Sequence, residues 1–151
     1  MSTADCTWRE WAAQGGKRIV TVWRVQIRYA DLDTQGHVNN TAQLQYVEAA
    51  RTRSYVAAGL TWQPLQVVRS QRIEYVKPLA ADADWVDVRL MVTAVGRTSH
   101  TVRFTIGDAA GTVFSTGECV LVTVDEDGSP SPIPGALRAA LAADLSVEAG
   151  A

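Results

Sequence analysis

Two carboxylates, a glycine, a histidine and two asparagines stand together in Arg28-Tyr29-Ala30-Asp31-Leu32-Asp33-Thr34-Gln35-Gly36-His37-Val38-Asn39-Asn40. Asp31 and Asp33 point the same way if the segment is extended, a condition that a turn would relax. Four chemistries suit such a group. A calcium loop opens with D-x-D-x-x-G, but its fifth position is Gln35 and its twelfth is Ala42, where the bidentate Glu belongs, so that reading fails. A transition-metal site built on Asp31, Asp33 and His37 lacks a third strong ligand at fixed helical or hairpin spacing. Turn chemistry alone, with Asp capping and Gly bending the backbone, needs no function at all. The fourth reading is catalysis. A carboxylate just ahead of a helix faces unpaired N–H groups that can polarise a substrate carbonyl, each donor worth about 3 kcal/mol in the transition state. That carboxylate could attack the carbonyl or activate a water.

Elements on either side must hold this stretch in place. Ile19 to Tyr29 alternates as a strand, with Ile19, Thr21, Trp23, Val25, Ile27 and Tyr29 on one face. Asn39 or Asn40 can cap a helix running to about Ala58, with Leu44, Val47, Ala50, Tyr55 and Ala58 on its apolar side and Gly59 at its stop. Four extended runs follow: Leu65 to Val76, Trp85 to Val95, His100 to Ile106 and Thr112 to Val124, separated by Lys77-Pro78, Gly96-Arg97 and Gly107 to Gly111. One long helix has only a five-stranded antiparallel sheet to bury its stripe against, so the expected fold is an α+β domain with the sheet curled round the helix. The edges of such a sheet favour pairing with a second copy, giving a homodimer or homotetramer.

The ends carry less. Thr7-Trp8-Arg9-Glu10 fits a capping box for a short helix through Gln14 within an N-terminal extension, residues 1–17. The core is expected over 18–125. Residues 126–151 form a proline-rich, acidic linker and a short helix with Leu137, Leu141 and Leu145 aligned.

At 151 residues the chain suits one domain and needs no disulfide or structural metal. Cys6 and Cys119 form neither a disulfide framework nor a metal spacing. A net charge of −2 argues against general nucleic-acid binding, which needs many Lys and Arg contacts. No run approaches the roughly 20 apolar residues that span a bilayer, and no secretory signal is visible, so no membrane partner and a cytoplasmic setting are expected.

Tyr29-x-Asp31-x-Asp33-x-x-Gly36-His37-Val38-Asn39-Asn40, then Tyr46-x-Glu48-x-x-Arg51, resembles the signature of hotdog-fold acyl-CoA thioesterases of the 4-hydroxybenzoyl-CoA thioesterase type. Ile73-x-Tyr75-x-x-Pro78 and Gly96-Arg97-Thr98-Ser99 suit the same family, and the order of elements matches over residues 18 to 125. The resemblance implies a hotdog fold, a long central helix wrapped by a five-stranded antiparallel sheet, and hydrolysis of an acyl-CoA thioester without a cofactor or metal. It implies Asp33 as nucleophile or general base, with the backbone N–H at about Asn40 polarising the carbonyl. Gly36 then permits close substrate approach, since it lacks a Cβ. It also implies that Arg97, Thr98 and Ser99 hold the nucleotide end of coenzyme A, where Arg suits phosphates; a solvated hairpin charge is the plainer alternative. Gln43 departs from the family's frequent Tyr and bears on the shape of the acyl pocket.

Glu48 is the runner-up catalytic carboxylate, because a related hotdog branch uses a helix carboxylate; an ion pair with Arg51 at helical spacing is the favoured reading. His37 could bind substrate, though a structural hydrogen-bonding role is preferred, and His100 is expected on a strand surface. Two other functions stay open. One is an acyl-ACP thioesterase, which the chain's slight acidity disfavours because the carrier is acidic too. The other is a hydratase or non-catalytic acyl-CoA-binding module, although the hydratases' His-centred motif is not found.

Overall fold

In the computed structural model, residues 21–57 and 66–149 are described. The N-terminal helix expected from Thr7 and the Gly59 stop lie outside these residues. The elements run β1 (Thr21–Gln26), a 3-10 turn (Tyr29–Asp31), α1 (Asn40–Ala57), β2 (Gln66–Tyr75), β3 (Trp85–Val95), β4 (Ser99–Gly107), β5 (Val113–Thr123) and α2 (Gly135–Ala149). All strand pairs are antiparallel in one sheet of order β1-β3-β4-β5-β2. Hairpin turns join β3 to β4 and β4 to β5, while α1 separates β1 from β2 and lets them occupy opposite edges.

Alternation builds the core. Val86, Val88, Leu90 and Val92 of β3, with Val102, Phe104 and Ile106 of β4, turn one face inward and are buried. The alternation slips between Val92 and Ala94, where a bulge shifts the register, so Ala94 is exposed instead of continuing the apolar face. Cys119 and Leu121 of β5 complete the surface on which α1 packs through Ala42, Tyr46, Val47 and Ala50. Gly117 is required here, since a Cβ would collide with the Phe104 ring and the Arg72 carbonyl. Trp23 Nε1 donates to Ser54 Oγ at 2.7 Å and pins β1 to the helix.

Four local expectations change. The first strand ends at Gln26, and Tyr29 belongs to a 3-10 turn with its side chain 93% exposed. The C-terminal helix is longer than the leucine spacing suggested, and its Leu137 and Leu141 join Val92 and Ile133 in a second cluster against Tyr55 and Val95. The third change is His100, expected on the surface: it shares the inward face of Val102, Phe104 and Ile106, is 1% exposed, and its Nε2 lies 2.9 Å from the Tyr55 hydroxyl. Finally, Gln43 is buried and receives a 2.7 Å hydrogen bond from Ser115 Oγ, which compensates for a polar side chain in the core.

Candidate active site

The polar stretch folds into a narrow hairpin at one end of the sheet. Leu32 bridges Val38, the Asp33 N–H donates to the His37 carbonyl at 2.8 Å, and the Asn39 N–H donates to the Asp31 carbonyl at 2.7 Å. Val38 N–H to Leu79 O, at 2.8 Å, and Ala81 N–H to Gly36 O, at 3.0 Å, tie the hairpin to the segment that leads into β3. Gly36 makes the bend with φ of 76°, in the left-handed region that favours glycine. Nothing among the described residues lies within 4 Å of where its Cβ would stand, so the local need for glycine is the backbone angle.

The two aspartates have opposite environments. Asp31 is 3% exposed. Its Oδ2 accepts from Tyr46 OH at 2.6 Å and from the Arg28 N–H at 2.9 Å, while Oδ1 accepts from Arg28 Nη2 at 2.9 Å. Burial pushes the Asp31 carboxyl up, but the donors from Arg28 and Tyr46 more than offset it and hold it below the usual range. Tyr46, desolvated and donating to a carboxylate, is pushed well above the ordinary phenol value and remains protonated. Asp31 is therefore locked, with its lone pairs spent on the fold.

Asp33 is exposed at the hairpin tip. Its Oδ1 accepts the His37 N–H at 3.0 Å and the Gln35 N–H at 2.8 Å, while Oδ2 has no hydrogen-bond partner among the described residues. These backbone donors, His37 first, hold the carboxyl below its ordinary value. The result is an oriented, ionised carboxylate with one oxygen open.

Beside it begins α1. Asn39 caps the helix, its Oδ1 accepting the Thr41 N–H at 2.9 Å and the Thr41 hydroxyl at 2.8 Å, while its carbonyl accepts the Ala42 N–H at 3.0 Å. The Asn40 N–H, first in the helix, has no acceptor among the described hydrogen bonds. Tyr75 of β2 reaches this point and donates its hydroxyl to the Asn40 carbonyl at 3.1 Å. Sequence reasoning gave Tyr75 and Tyr46 no role; both stood in the motif, but hydroxyl geometry became visible only with the folded chain.

Thus Asp33, Gly36, His37 and Asn40 gather at one end. His37 contributes its backbone to the hairpin, and its half-buried ring makes no hydrogen bond among the described residues. Glu48 lies two turns along α1, exposed, and forms no ion pair among the described residues, so the expected pairing with Arg51 is absent. Arg97, Thr98 and Ser99 are not gathered in the same chain. They follow β3, whose 11 residues carry the chain roughly 35 Å away from the hairpin end. There the Gly96 N–H bonds Ser99 O at 2.7 Å, and the Arg97 carbonyl accepts from the Ile133 N–H and the Arg138 side chain. Among the described residues no three His, Cys, Asp or Glu side chains are grouped to hold a metal ion. No helix among them is long and apolar enough to cross a membrane.

Sequence and fold both match known proteins. The family model for the thioesterase-like superfamily matches residues 27–141, which take in the hairpin, α1 and all four later strands. The chain belongs to the thioesterase-like superfamily. Its fold is that of a Thermus thermophilus thioesterase solved with coenzyme A and zinc, at 32% identity and TM-score 0.74, covering 84% of this chain and 94% of that one. The PA5185 protein of Pseudomonas aeruginosa is similarly close in shape, at 26% identity and TM-score 0.74 over 83% of this chain and 95% of its own. A 1,4-dihydroxy-2-naphthoyl-CoA thioesterase from Synechocystis, at 17% identity, shares the fold with TM-score 0.75 over 82% of this chain and 96% of its own. The Bacillus subtilis protein YsmA is 27% identical over 109 residues, 69% of this chain and 72% of that one. The α+β hotdog expectation and the identification as a thioester hydrolase both hold.

Proposed function

We propose that this thioester hydrolase cleaves acyl-CoA to a free carboxylic acid and coenzyme A, with Asp33 as the reacting carboxylate. The observation that carries this is the division between the aspartates: Asp31 is saturated by Arg28 and Tyr46, whereas Asp33 keeps Oδ2 open while Oδ1 is held by two N–H donors. Asp33 acts as nucleophile on the thioester carbonyl or as general base on a water; either route starts from the ionised form that the hairpin favours. The Asn40 N–H is the donor for the developing oxyanion, positioned by the Asn39 cap and by Tyr75 on the Asn40 carbonyl. The coenzyme A bound by the Thermus relative supports the CoA carrier.

The sheet supports completion of the site by a second copy. β2 is an edge strand, exposed along most of its length, with Val67 at 48% and Val68 at 45%. Antiparallel pairing of β2 with β2 of a second copy would set the Gln66 end of one against the Tyr75 end of the other. The Arg97-Thr98-Ser99 turn of that copy would then approach the Asp33 end, where its arginine suits the nucleotide phosphates of coenzyme A. The protein would act as a homodimer.

A hydrolysis screen over a panel of acyl-CoAs, run with wild type and Asp33→Ala, tests this reading. Wild type should release free thiol from at least one, and the variant should lose the activity while remaining folded, with only a small drop in melting temperature. Full turnover by Asp33→Ala would remove Asp33 from the mechanism.

A further inference from the structure

Residues paired across an antiparallel ladder point to the same face, so Gln66, Val68, Gln71, Ile73 and Tyr75 of β2 share a side with Thr123, Leu121, Cys119, Gly117 and Ser115 of β5. That side is the inner one, since Ser115, Cys119, Leu121 and Thr123 are buried. α1 lies mainly over β1, β3 and β4 and meets β2 where Tyr75 reaches the Asn40 carbonyl and Gln66 reaches Tyr55, which leaves a strip along β2 between these contacts only partly covered. Inward-facing side chains there are open to solvent, Val68 at 45% and Tyr75 at 42%. The helix borders the strip with Asn40, Leu44, Arg51 and Tyr55, which fall within roughly 60° of one another round its axis. The strip therefore starts beside the Asn40 N–H and runs along the helix toward its C-terminal end.

Its chemistry changes along that run. Near Asn40 it is apolar, with Leu44, Ile73 and the Tyr75 ring. Farther on it becomes polar, with Gln71, Arg51, Tyr55 and Gln66. Arg51 is half-buried and reaches the Cys119 thiol, which lies opposite Gln71 in the ladder, and it stands close to His100 and Tyr55. Among the described residues no carboxylate forms an ion pair with it; Glu48, one turn nearer the hairpin, is exposed and unpaired too. At the same end His100 Nδ1 and Thr123 Oγ1 are buried without a hydrogen-bond partner among the described residues. A half-buried cation without a counter-ion, at the polar end of an otherwise apolar strip, calls for an anion.

We propose that the strip is the acyl channel of the hydrolase and that Arg51 binds a terminal carboxylate on the acyl chain, so that monothioesters of medium-chain dicarboxylic acids are preferred. This deepens the reading of Asp33 and Asn40 as the reacting end and rests on it. Two independent rulers set the chain length. Asn40 and Arg51 are separated by about 16 Å of helix axis, and Tyr75 and Gln71 by about 13 Å of strand. Both suit a chain of roughly ten carbons with its carboxylate beside the guanidinium. Arginine fits the task because its planar fork meets a carboxylate through two N–H donors and stays charged at any working pH.

The test compares kcat/KM for decanoyl-CoA and for the CoA monothioester of decanedioic acid, using the full chain. Wild type should favour the dicarboxylic substrate by about tenfold or more, as expected for one desolvated ion pair. Arg51→Leu should bring the ratio to one or below, and Arg51→Lys should keep part of it. A wild-type ratio at or below one overturns the proposal, as does a ratio unchanged in Arg51→Leu, including the case where that variant loses only its dimer. Should Arg51→Leu fail to fold, the wild-type ratio and Arg51→Lys decide. Turnover of neither substrate would count against the hydrolase reading instead, and calorimetric binding of the two thioesters to wild type would then decide the Arg51 proposal alone.

Discussion

The two ends of α1 treat ionisable groups in opposite ways. At its N-terminal end the chain leaves the Asp33 carboxylate in water, oriented by two backbone N–H groups, beside a helix N–H without an acceptor. At its C-terminal end it buries His100 against Tyr55, under a cluster built by α2. The first arrangement keeps charge available at no cost in desolvation. The second suppresses charge: burial first, and the neighbouring Arg51 second, push the His100 ring down to about 4. An open, anionic end suits chemistry, and an end that keeps its histidine neutral beside the Arg51 guanidinium suits anchoring.

Breaking the open end should leave the fold intact. Asp33→Ala is expected to lower kcat/KM by about 10³-fold or more, with a stability loss of only about 1 kcal/mol from the two freed backbone N–H groups, read by turnover and thermal melting. Acid should break the closed end. An unfolded histidine takes its proton near 6.5, the folded one only near 4. Between these values the unfolded chain binds more protons, so stability falls as pH drops through that window. The loss attributable to His100 is about 3 kcal/mol by pH 4. Denaturant unfolding across this range should show that slope, and His100→Gln should flatten it.

The Asp31 knot sharpens the contrast from the side of the hairpin. Asp31→Asn should destabilise by about 2 kcal/mol in denaturant unfolding, because Arg28 and Tyr46 lose a charged acceptor. Gly36→Ala should cost about 1 kcal/mol in the same assay, the penalty of a side chain at positive φ. In both variants the damage belongs to the frame, and the response to pH between 4 and 6.5 should match wild type.

Much of this was legible in the chain. Alternation in Trp85 to Val95 and His100 to Ile106 gave the central strands, and the Asn39 cap with an uninterrupted helical run gave α1. The motif from Asp31 to Asn40 located the candidate site because its residues are close in sequence and fold as one hairpin. Contacts across long sequence separations were hidden. Ser115 satisfies Gln43 from 72 residues away, and nothing local to either announces the pair. His100 read as a surface residue because its ring is polar, although alternation puts it on the same face as Val102, Phe104 and Ile106, which turns inward. The resemblance gave Arg97-Thr98-Ser99 to the nucleotide end of coenzyme A, and β3 carries that turn to the far end of the sheet from Asp33, a distance its length already implied.

The claim that the ionised Asp33 carboxylate carries the reaction is tested most directly by the pH dependence of kcat/KM for a cleaved acyl-CoA. Activity requires the deprotonated form, and the His37 and Gln35 N–H donors keep the carboxyl below its usual range. Wild type should therefore hold a flat profile from pH 8 to about 4, falling only as Asp33 takes its proton. An acid limb lying well above that fall, and abolished in His37→Gln, would contradict the account and move the chemistry to His37.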